Sequence, residues 1–144
     1  MKYSLTIDLE LSRERVIELF DNPDNLSKWQ PDLISFEHMS GTAGQAGAKS
    51  KLLYKMGKRE IEMIETVTVR NLPDEFSGTY EAKGVWNSVA NYFSVISGSR
   101  TKWTMETEFK FGGFMKIVAF LMPFAFKKVS LKHMTQFKAF AESA

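Results

Sequence analysis

The chain has 144 residues, of which 44% are hydrophobic, and it carries 19 Lys and Arg against 17 Asp and Glu, a formal net charge of +2. This length predicts one globular domain spanning residues 1–144, and the even mixture of charges argues against a nucleic-acid surface. With no cysteine and only two histidines, the sequence excludes disulfides and thiolate sites, and we expect neither a metal nor a cofactor.

The amino terminus lacks the apolar run of a signal peptide, because apolar and polar residues alternate there from the start. The longest apolar run, from Phe114 to Phe126, is shorter than the roughly 20 residues of a membrane-spanning helix. We therefore expect a cytoplasmic protein without a transmembrane segment.

The first part of the chain predicts one strand and two short helices. Apolar residues occupy every second position from Tyr3 to Leu11, a period of two that is typical of a strand with one buried face. Ser12 can cap a helix over residues 13–21. Asn22-Pro23 can open a second short helix that carries Trp29, because proline is favoured at the first helical position.

Six further strands are predicted, because turn signals divide the middle of the chain into segments of strand length. Their ranges are 33–39, 48–56, 59–70, 76–83, 88–97 and 100–111. The order of elements therefore predicts an α+β fold with a seven-stranded, curved antiparallel sheet and two short helices between the first and second strands.

The last element is predicted to be one long helix from Gly113 to Ala144, around which the sheet wraps. Pro123 should kink it, either as a hinge or as a fixed bend. Because a straight helix fills a curved sheet poorly, we expect a hollow between them. Phe114, Phe120, Phe124 and Phe126 cannot all face the sheet, so loops cover them or they form a patch for a partner, a second subunit or transient contact with a membrane surface.

Several motifs in this order resemble the START-like superfamily, also called SRPBCC or helix-grip proteins. They are Asn22-Pro23, Trp29-Gln30-Pro31, the Gly98–Thr101 turn before Trp103, and the glycine pair that opens the terminal helix. The resemblance implies the helix-grip fold and a central cavity for lipids, sterols, plant hormones, polyketides or ubiquinone. A minority of the superfamily, the polyketide cyclase/dehydrase type, catalyses cyclisation or dehydration there.

Two inward polar residues are candidates for ligand contact or chemistry. Glu65 interrupts an apolar row formed by Ile61, Met63, Val67 and Val69, so burial should raise its pKa and suit it to proton transfer or ligand anchoring. Alternatively, the strand has a local bulge at Glu65, or Glu65 is paired with a Lys or Arg of a neighbouring strand. Asn91 shares a face with apolar residues of its strand, and its amide either contacts a ligand or is satisfied by the protein itself.

The last strand has the clearest alternation, which places its odd-numbered residues from Trp103 to Phe111 inside. These side chains either line a cavity for an apolar guest or simply fill the core. The predicted ligand contacts are Trp29, Met63, Glu65, Tyr80, Trp86, Asn91, Phe93, Trp103, Met105, Thr107, Val118 and Met122. A register slip of one residue would turn each strand residue outward. The two histidines, His38 and His133, are predicted to be solvent-exposed.

The sequence thus favours binding, transport or sensing of a hydrophobic small molecule between the sheet and the terminal helix. One alternative is an enzyme of the cyclase/dehydrase type that uses Glu65 or Tyr80 for proton transfer. Another is a protein-interaction module, as the resemblance to chaperone activators of the superfamily implies. The oligomeric state is left open. Stretches 80–109 and 137–142 resemble an uncharacterised bacterial subgroup, which leaves the ligand unnamed.

Overall fold

The computed structural model describes residues 1–144. In chain order its elements are β1 (Lys2–Leu9), α1 (Arg13–Phe20), a 3-10 turn (Pro23–Asn25), α2 (Leu26–Trp29), β2 (Leu33–Ser40), β3 (Lys49–Met56), β4 (Arg59–Asn71), β5 (Glu75–Ala82), β6 (Val85–Ser97), β7 (Arg100–Phe111), α3 (Phe114–Leu121) and α4 (Pro123–Ser143). The α+β architecture predicted from the sequence is confirmed, although β6 begins at Val85 rather than Ser88.

The seven strands form one antiparallel sheet in the order β1-β7-β6-β5-β4-β3-β2. Strands β2 to β7 pair with their neighbours along the chain, and β1 joins the outer edge of β7. Such a sheet twists and curls, so its concave face needs a cover. The helices provide that cover, and α4 makes its main contacts with β1 and α2.

The corner between β1 and β2 contains the two predicted short helices. The Ser12 side chain accepts a hydrogen bond from the backbone N–H of Arg15 at 3.3 Å and caps α1. The corner is tied to the sheet by Arg70, whose guanidinium donates to both carboxylate oxygens of Asp21 at 2.7 Å. A bidentate pair of this kind fixes orientation as well as distance.

The terminal segment is two helices rather than one, which corrects the prediction of a continuous helix. Met122 adopts φ −131° and ψ 58°, outside the helical region, and separates α3 from α4. Pro123 then occupies the first turn of α4, where its missing N–H costs nothing. The predicted kink is therefore a complete break, and α4 alone is the long C-terminal helix.

One β-bulge changes which residues of β4 face inward. The pairing of β4 with β5 shifts register between Val67 and Val69, so Val69 is 37% exposed and Arg70 faces the helices. The predicted apolar row therefore ends at Val67. Glu65 precedes the bulge and keeps its inward position.

Candidate functional site

A row of inward side chains crosses the concave face from β3 to β7. Its members are direct cross-strand partners, in the order Ser50, Glu65, Tyr80, Asn87 and Phe109. Because directly opposed residues project to the same side of a sheet, this register places a carboxylate next to a phenol.

Glu65 and Tyr80 are partly buried in this row, each keeping some water-accessible surface, and their burial dominates their protonation. It raises the pKa of the Glu65 carboxyl above its usual range, while the neighbouring Tyr80 hydroxyl opposes the rise. Burial also raises the pKa of Tyr80 well above its ordinary value, and the Glu65 charge adds to that rise. The same two causes raise the pKa of Tyr54, so three ionisable side chains converge here.

Tyr54 connects this cluster to the helical corner. Its hydroxyl donates to Oε1 of Gln30 at 2.5 Å, and Gln30 is buried directly after α2. Tyr54 faces the same side of the sheet as Ile61, its cross-strand partner in β4. The contact therefore fixes the end of α2 against the β3 side of the site.

No basic side chain lies within 4.0 Å of the Glu65 carboxylate, since all ion pairs of the protein involve other acids. The alternative of a Lys or Arg partner for Glu65 is thus not realised. The chain also brings no three His, Asp or Glu side chains into an arrangement that could hold a metal ion. The site is a carboxylate with two phenols in apolar surroundings.

At the other end of the concave face the core is solid. Trp103 is 1% exposed, Phe93 2% and Phe137 0%, and the Trp103 and Phe137 rings meet at 5.3 Å in a T-shaped arrangement. Phe20 and Trp29 complete this aromatic cluster. We call this region the packed half; in it Trp29, Phe93 and Trp103 fill the core, and only the indole Nε1 of Trp29 is buried without a hydrogen-bond partner.

Two predicted polar ligand contacts are occupied by the protein itself. Asn91 donates from Nδ2 to the carbonyl of Phe76 at 3.2 Å and accepts at Oδ1 from Trp103 Nε1 at 3.0 Å. Thr107 donates to the Ser88 carbonyl at 3.2 Å. For Asn91 the structure realises the alternative in which the amide is satisfied internally, so it is not free to orient a ligand.

Around Glu65 and Tyr80 the concave face is less completely filled. Met63, Tyr80, Phe109 and Phe111 point inward yet each keeps water-accessible surface. Phe126 of α4 partly covers the two phenylalanines, with ring centroids 5.1 and 4.9 Å away. We call this region the open half. Met105 lies at its border, partly buried against the packed half.

Two predicted ligand contacts lie elsewhere. Trp86 pairs with Lys110 on the convex face, where the Lys110 ammonium sits 4.8 Å from the ring centroid. Its predicted inward position was wrong because the alternation of β6 places Val85 and Asn87 inside instead. Met122 is 58% exposed because the helix breaks there, whereas Val118 is partly buried on the inner side of α3.

The two histidines differ in environment. His38 is exposed, as predicted, and its Nε2 contacts the carbonyl of Gly41 at 2.8 Å. His133 is partly buried rather than solvated, so burial lowers its pKa, with the Lys132 charge adding to the effect and Asp32 opposing it. The prediction for His133 was wrong because α4 packs on α2 as well as on the sheet.

The molecule has seven depressions, of which two are lined as follows. One, of about 350 Å³, is lined by Arg13, Ile17 and Pro73 among others. The second, of about 420 Å³, lies between α2 and the end of α4. Neither includes Glu65 or Tyr80.

Comparison of the whole chain with solved structures identifies its architecture. Ara h 8.0201 superposes with a TM-score of 0.78 at 11% identity, covering 100% of this chain and 99% of the other. The Zhui aromatase/cyclase from Streptomyces sp. R1128 gives 0.80 at 11% identity, with coverages of 99% and 93%. A START superfamily protein from Mycobacterium smegmatis gives 0.76 at 12% identity, with coverages of 99% and 97%.

The chain has the START-like, helix-grip fold. At such low sequence identities the structural similarity supports the assignment of the START-like fold and nothing about function. No family model matches the sequence, and no curated protein matches it either. The resemblance recognised in the sequence motifs is therefore confirmed at the level of architecture.

Sequence reasoning missed two members of this site. Tyr54 alternates with Leu52 in its strand, so the period of two was a usable signal for an inward phenol. Asn87 was missed because the predicted strand began after it. In the structure its Nδ2 donates to Thr107 Oγ1 at 2.8 Å, next to its cross-strand partner Tyr80.

Proposed function

We propose that this protein binds a hydrophobic small molecule carrying one polar group, held between the open half of the concave face and the helices. The observation that carries the proposal is the buried Glu65 carboxylate, which lacks a basic partner and lies beside the Tyr80 hydroxyl. Burying an ionisable group without a charge partner is costly, so such groups are rarely kept for packing alone. A ligand donor would supply the missing contact.

The surroundings supply the affinity. Met63, Phe109 and Phe111 are apolar and incompletely covered, and Tyr80 lies deep in the fold while retaining accessible surface. We infer from this combination that space for a guest remains beside Tyr80. Filling that space with an apolar guest yields about 25 cal/mol per Å² before the costs of binding are subtracted.

The proposed role is that of a carrier or sensor. Two of the similar folds are named as Ara h 8.0201 and as a START superfamily protein, neither of which is described as an enzyme. The packed half supplies the rigid frame, and α3 contacts β7.

Two experiments test this function: identification of any ligand retained by the purified protein, and binding of a fluorescent probe. Organic extraction of the purified protein followed by mass spectrometry should release an apolar compound. The fluorescent probe N-phenyl-1-naphthylamine should bind the emptied protein, because its single N–H can donate to Glu65. Glu65→Gln should change the Kd about three- to tenfold, the usual worth of one hydrogen bond.

Glu62→Gln is the matched control, since Glu62 lies on the exposed face of the same strand. It should leave the Kd within twofold of the original. A protein that retains no apolar compound and binds no probe would refute the function, as would equal effects of the two substitutions.

A second candidate function is supported by the convergence of Glu65 with Tyr80. A carboxyl whose pKa is raised by burial is suited to giving and taking protons, and the phenol can hold a developing oxyanion. The similarity to the Zhui aromatase/cyclase adds to this candidate. It predicts catalysed hydrogen–deuterium exchange next to the carbonyl of an aryl ketone in D2O, followed by NMR. The exchange should vanish in Glu65→Gln and persist in Glu62→Gln.

A further inference from the structure

A cluster of apolar side chains lies on the outside of the protein where α3 meets α4. The six members are Phe114, 74% exposed, Ile117, 56%, Phe120, 84%, Leu121, 69%, Met122, 58%, and Phe124, 81%. We call this surface the α3 patch. Large contiguous apolar surfaces are uncommon on proteins that act alone in water, so this one needs an explanation.

Folding does not require the α3 patch. The inner side of α3 already packs through Met115, Val118 and Ala119, and Ala119 is only 8% exposed. The apolar side chains at Phe114, Ile117 and Leu121 follow the opposite face at helical spacing. This short helix is therefore apolar on both its inner and outer faces.

Along the chain, the charged residues on either side of the α3 patch are all of one sign. No Asp or Glu occurs between Glu108 and Glu142. Lys116 on α3 and both Lys127 and Lys128 on α4 are exposed and have no carboxylate within 4.0 Å. The apolar surface is therefore bordered by three unpaired positive charges, although the net charge of the whole chain is only +2.

We propose that the α3 patch docks the protein onto a lipid bilayer that carries anionic headgroups. Exposed phenylalanines with nearby lysines are the composition of segments that lie in a membrane interface, where the rings enter the acyl boundary and the ammonium groups meet lipid phosphates. No helix of the protein is long and apolar enough to cross a bilayer. The contact is thus peripheral and reversible.

Charge decides between a bilayer and the other occupants of such a surface. In a two-fold dimer the α3 patch would meet itself, which would bring Lys116, Lys127 and Lys128 of the two copies together. Interfaces between proteins are also depleted in lysine at their cores. An anionic membrane accommodates both the aromatic rings and the lysines without a like-charge penalty.

Docking is independent of any guest in the open half, so it is tested separately. The full chain is mixed with vesicles of phosphatidylcholine alone or with 30% phosphatidylglycerol, and binding is measured by cosedimentation. We expect binding to the anionic vesicles that weakens as salt rises from 50 to 500 mM. The double variant Phe120→Asp/Phe124→Asp should weaken it at least tenfold.

A second variant probes the charges without touching the apolar surface. Lys116→Gln/Lys127→Gln/Lys128→Gln should weaken binding to anionic vesicles by roughly a hundredfold, since each lysine near such a surface contributes about fivefold. The matched control is Val95→Ser/Ile96→Ser, a pair of exposed apolar side chains at the end of β6, which should bind as the original chain does. Circular dichroism verifies that all variants are folded.

Three outcomes would overturn the proposal. The first is absence of binding to either vesicle at low salt. The second is equal binding to neutral and anionic vesicles, which would remove the role of the lysines. The third is a concentration-dependent dimer in analytical ultracentrifugation that Phe120→Asp dissociates, because the α3 patch would then be a self-interface.

Discussion

The hydrogen bond from Trp103 Nε1 to Asn91 Oδ1, 3.0 Å long, joins two residues of the packed half that are 1% and 7% exposed. Trp103→Phe removes the donor and leaves the amide oxygen buried without its partner. Asn91→Leu removes the acceptor, leaves the indole N–H unsatisfied and takes away the donor to the Phe76 carbonyl. If Asn91 is structural rather than a ligand contact, the two substitutions must be strongly coupled.

The expected loss of stability in each variant follows from the unpaired polar group or the lost packing that the substitution creates. An orphaned buried donor or acceptor costs about 1 to 3 kcal/mol, and the smaller ring at position 103 adds about 1 to 2 kcal/mol through lost packing. The double variant buries neither the unpaired indole N–H nor the unpaired amide oxygen. Because it avoids both of these costs, it should be destabilised by at least about 2 kcal/mol less than the sum of the two single variants.

Urea unfolding of the four proteins, followed by tryptophan fluorescence and circular dichroism, measures this coupling. The control cycle uses Tyr92→Phe and Thr6→Val, two exposed positions that lie two strands apart on the outer face of the sheet. Their free energies of unfolding should add within about 0.5 kcal/mol. If the effects of Asn91→Leu and Trp103→Phe on the free energy of unfolding also add within about 0.5 kcal/mol, the assignment of Asn91 to the packed half is refuted.

Three further predictions concern the site, the helical corner and α3. Burial raises the folded-state pKa of Glu65 above its unfolded value near 4.5, so the wild type should lose stability as the pH rises from about 4.5 through the folded pKa. Glu65→Gln should therefore gain stability relative to the wild type between pH 4 and pH 8 in urea titrations, and a constant difference would contradict this. Asp21→Asn should cost about 1 kcal/mol in the same assay, because it weakens a bidentate pair with Arg70 whose side chains are 33% and 25% exposed. An unchanged midpoint would mean that the pair does not hold the corner. Gly84→Ala should speed amide exchange in α3 but not in α4, since Gly84 has φ 76° and an added methyl would lie 3.0 Å from the Gly112 carbonyl oxygen. Equal protection of α3 in both proteins by hydrogen–deuterium exchange would count against that reasoning.

The two halves of the concave face separate stability from function. The packed half joins β1, β6, β7 and α4 through side chains with almost no exposed surface. The open half contains the ionisable residues, whose burial opposes their charged forms. Substitutions at Glu65 should therefore be tolerated by the fold far better than those at Trp103.

The sequence by itself determined the elements of this fold. Period-two alternation, Gly and Pro turn signals and the Ser12 cap are local properties, and they were sufficient for seven strands, two short helices and a long C-terminal helix. The inward position of Glu65 was also predictable, because its apolar neighbours share its face on one strand.

Only the tertiary structure decided which inward polar side chains are already satisfied within the protein and which are available to a ligand. Asn91 and Tyr80 look equivalent in the sequence, yet strand register gives Asn91 the Trp103 indole and gives Tyr80 the Glu65 carboxylate. Likewise, the helix breaks at Met122, and the apolar side chains of the α3 patch on either side of the break are exposed. The physical reason is that register, bulges and helix docking depend on contacts between residues far apart in the chain, which no local pattern records.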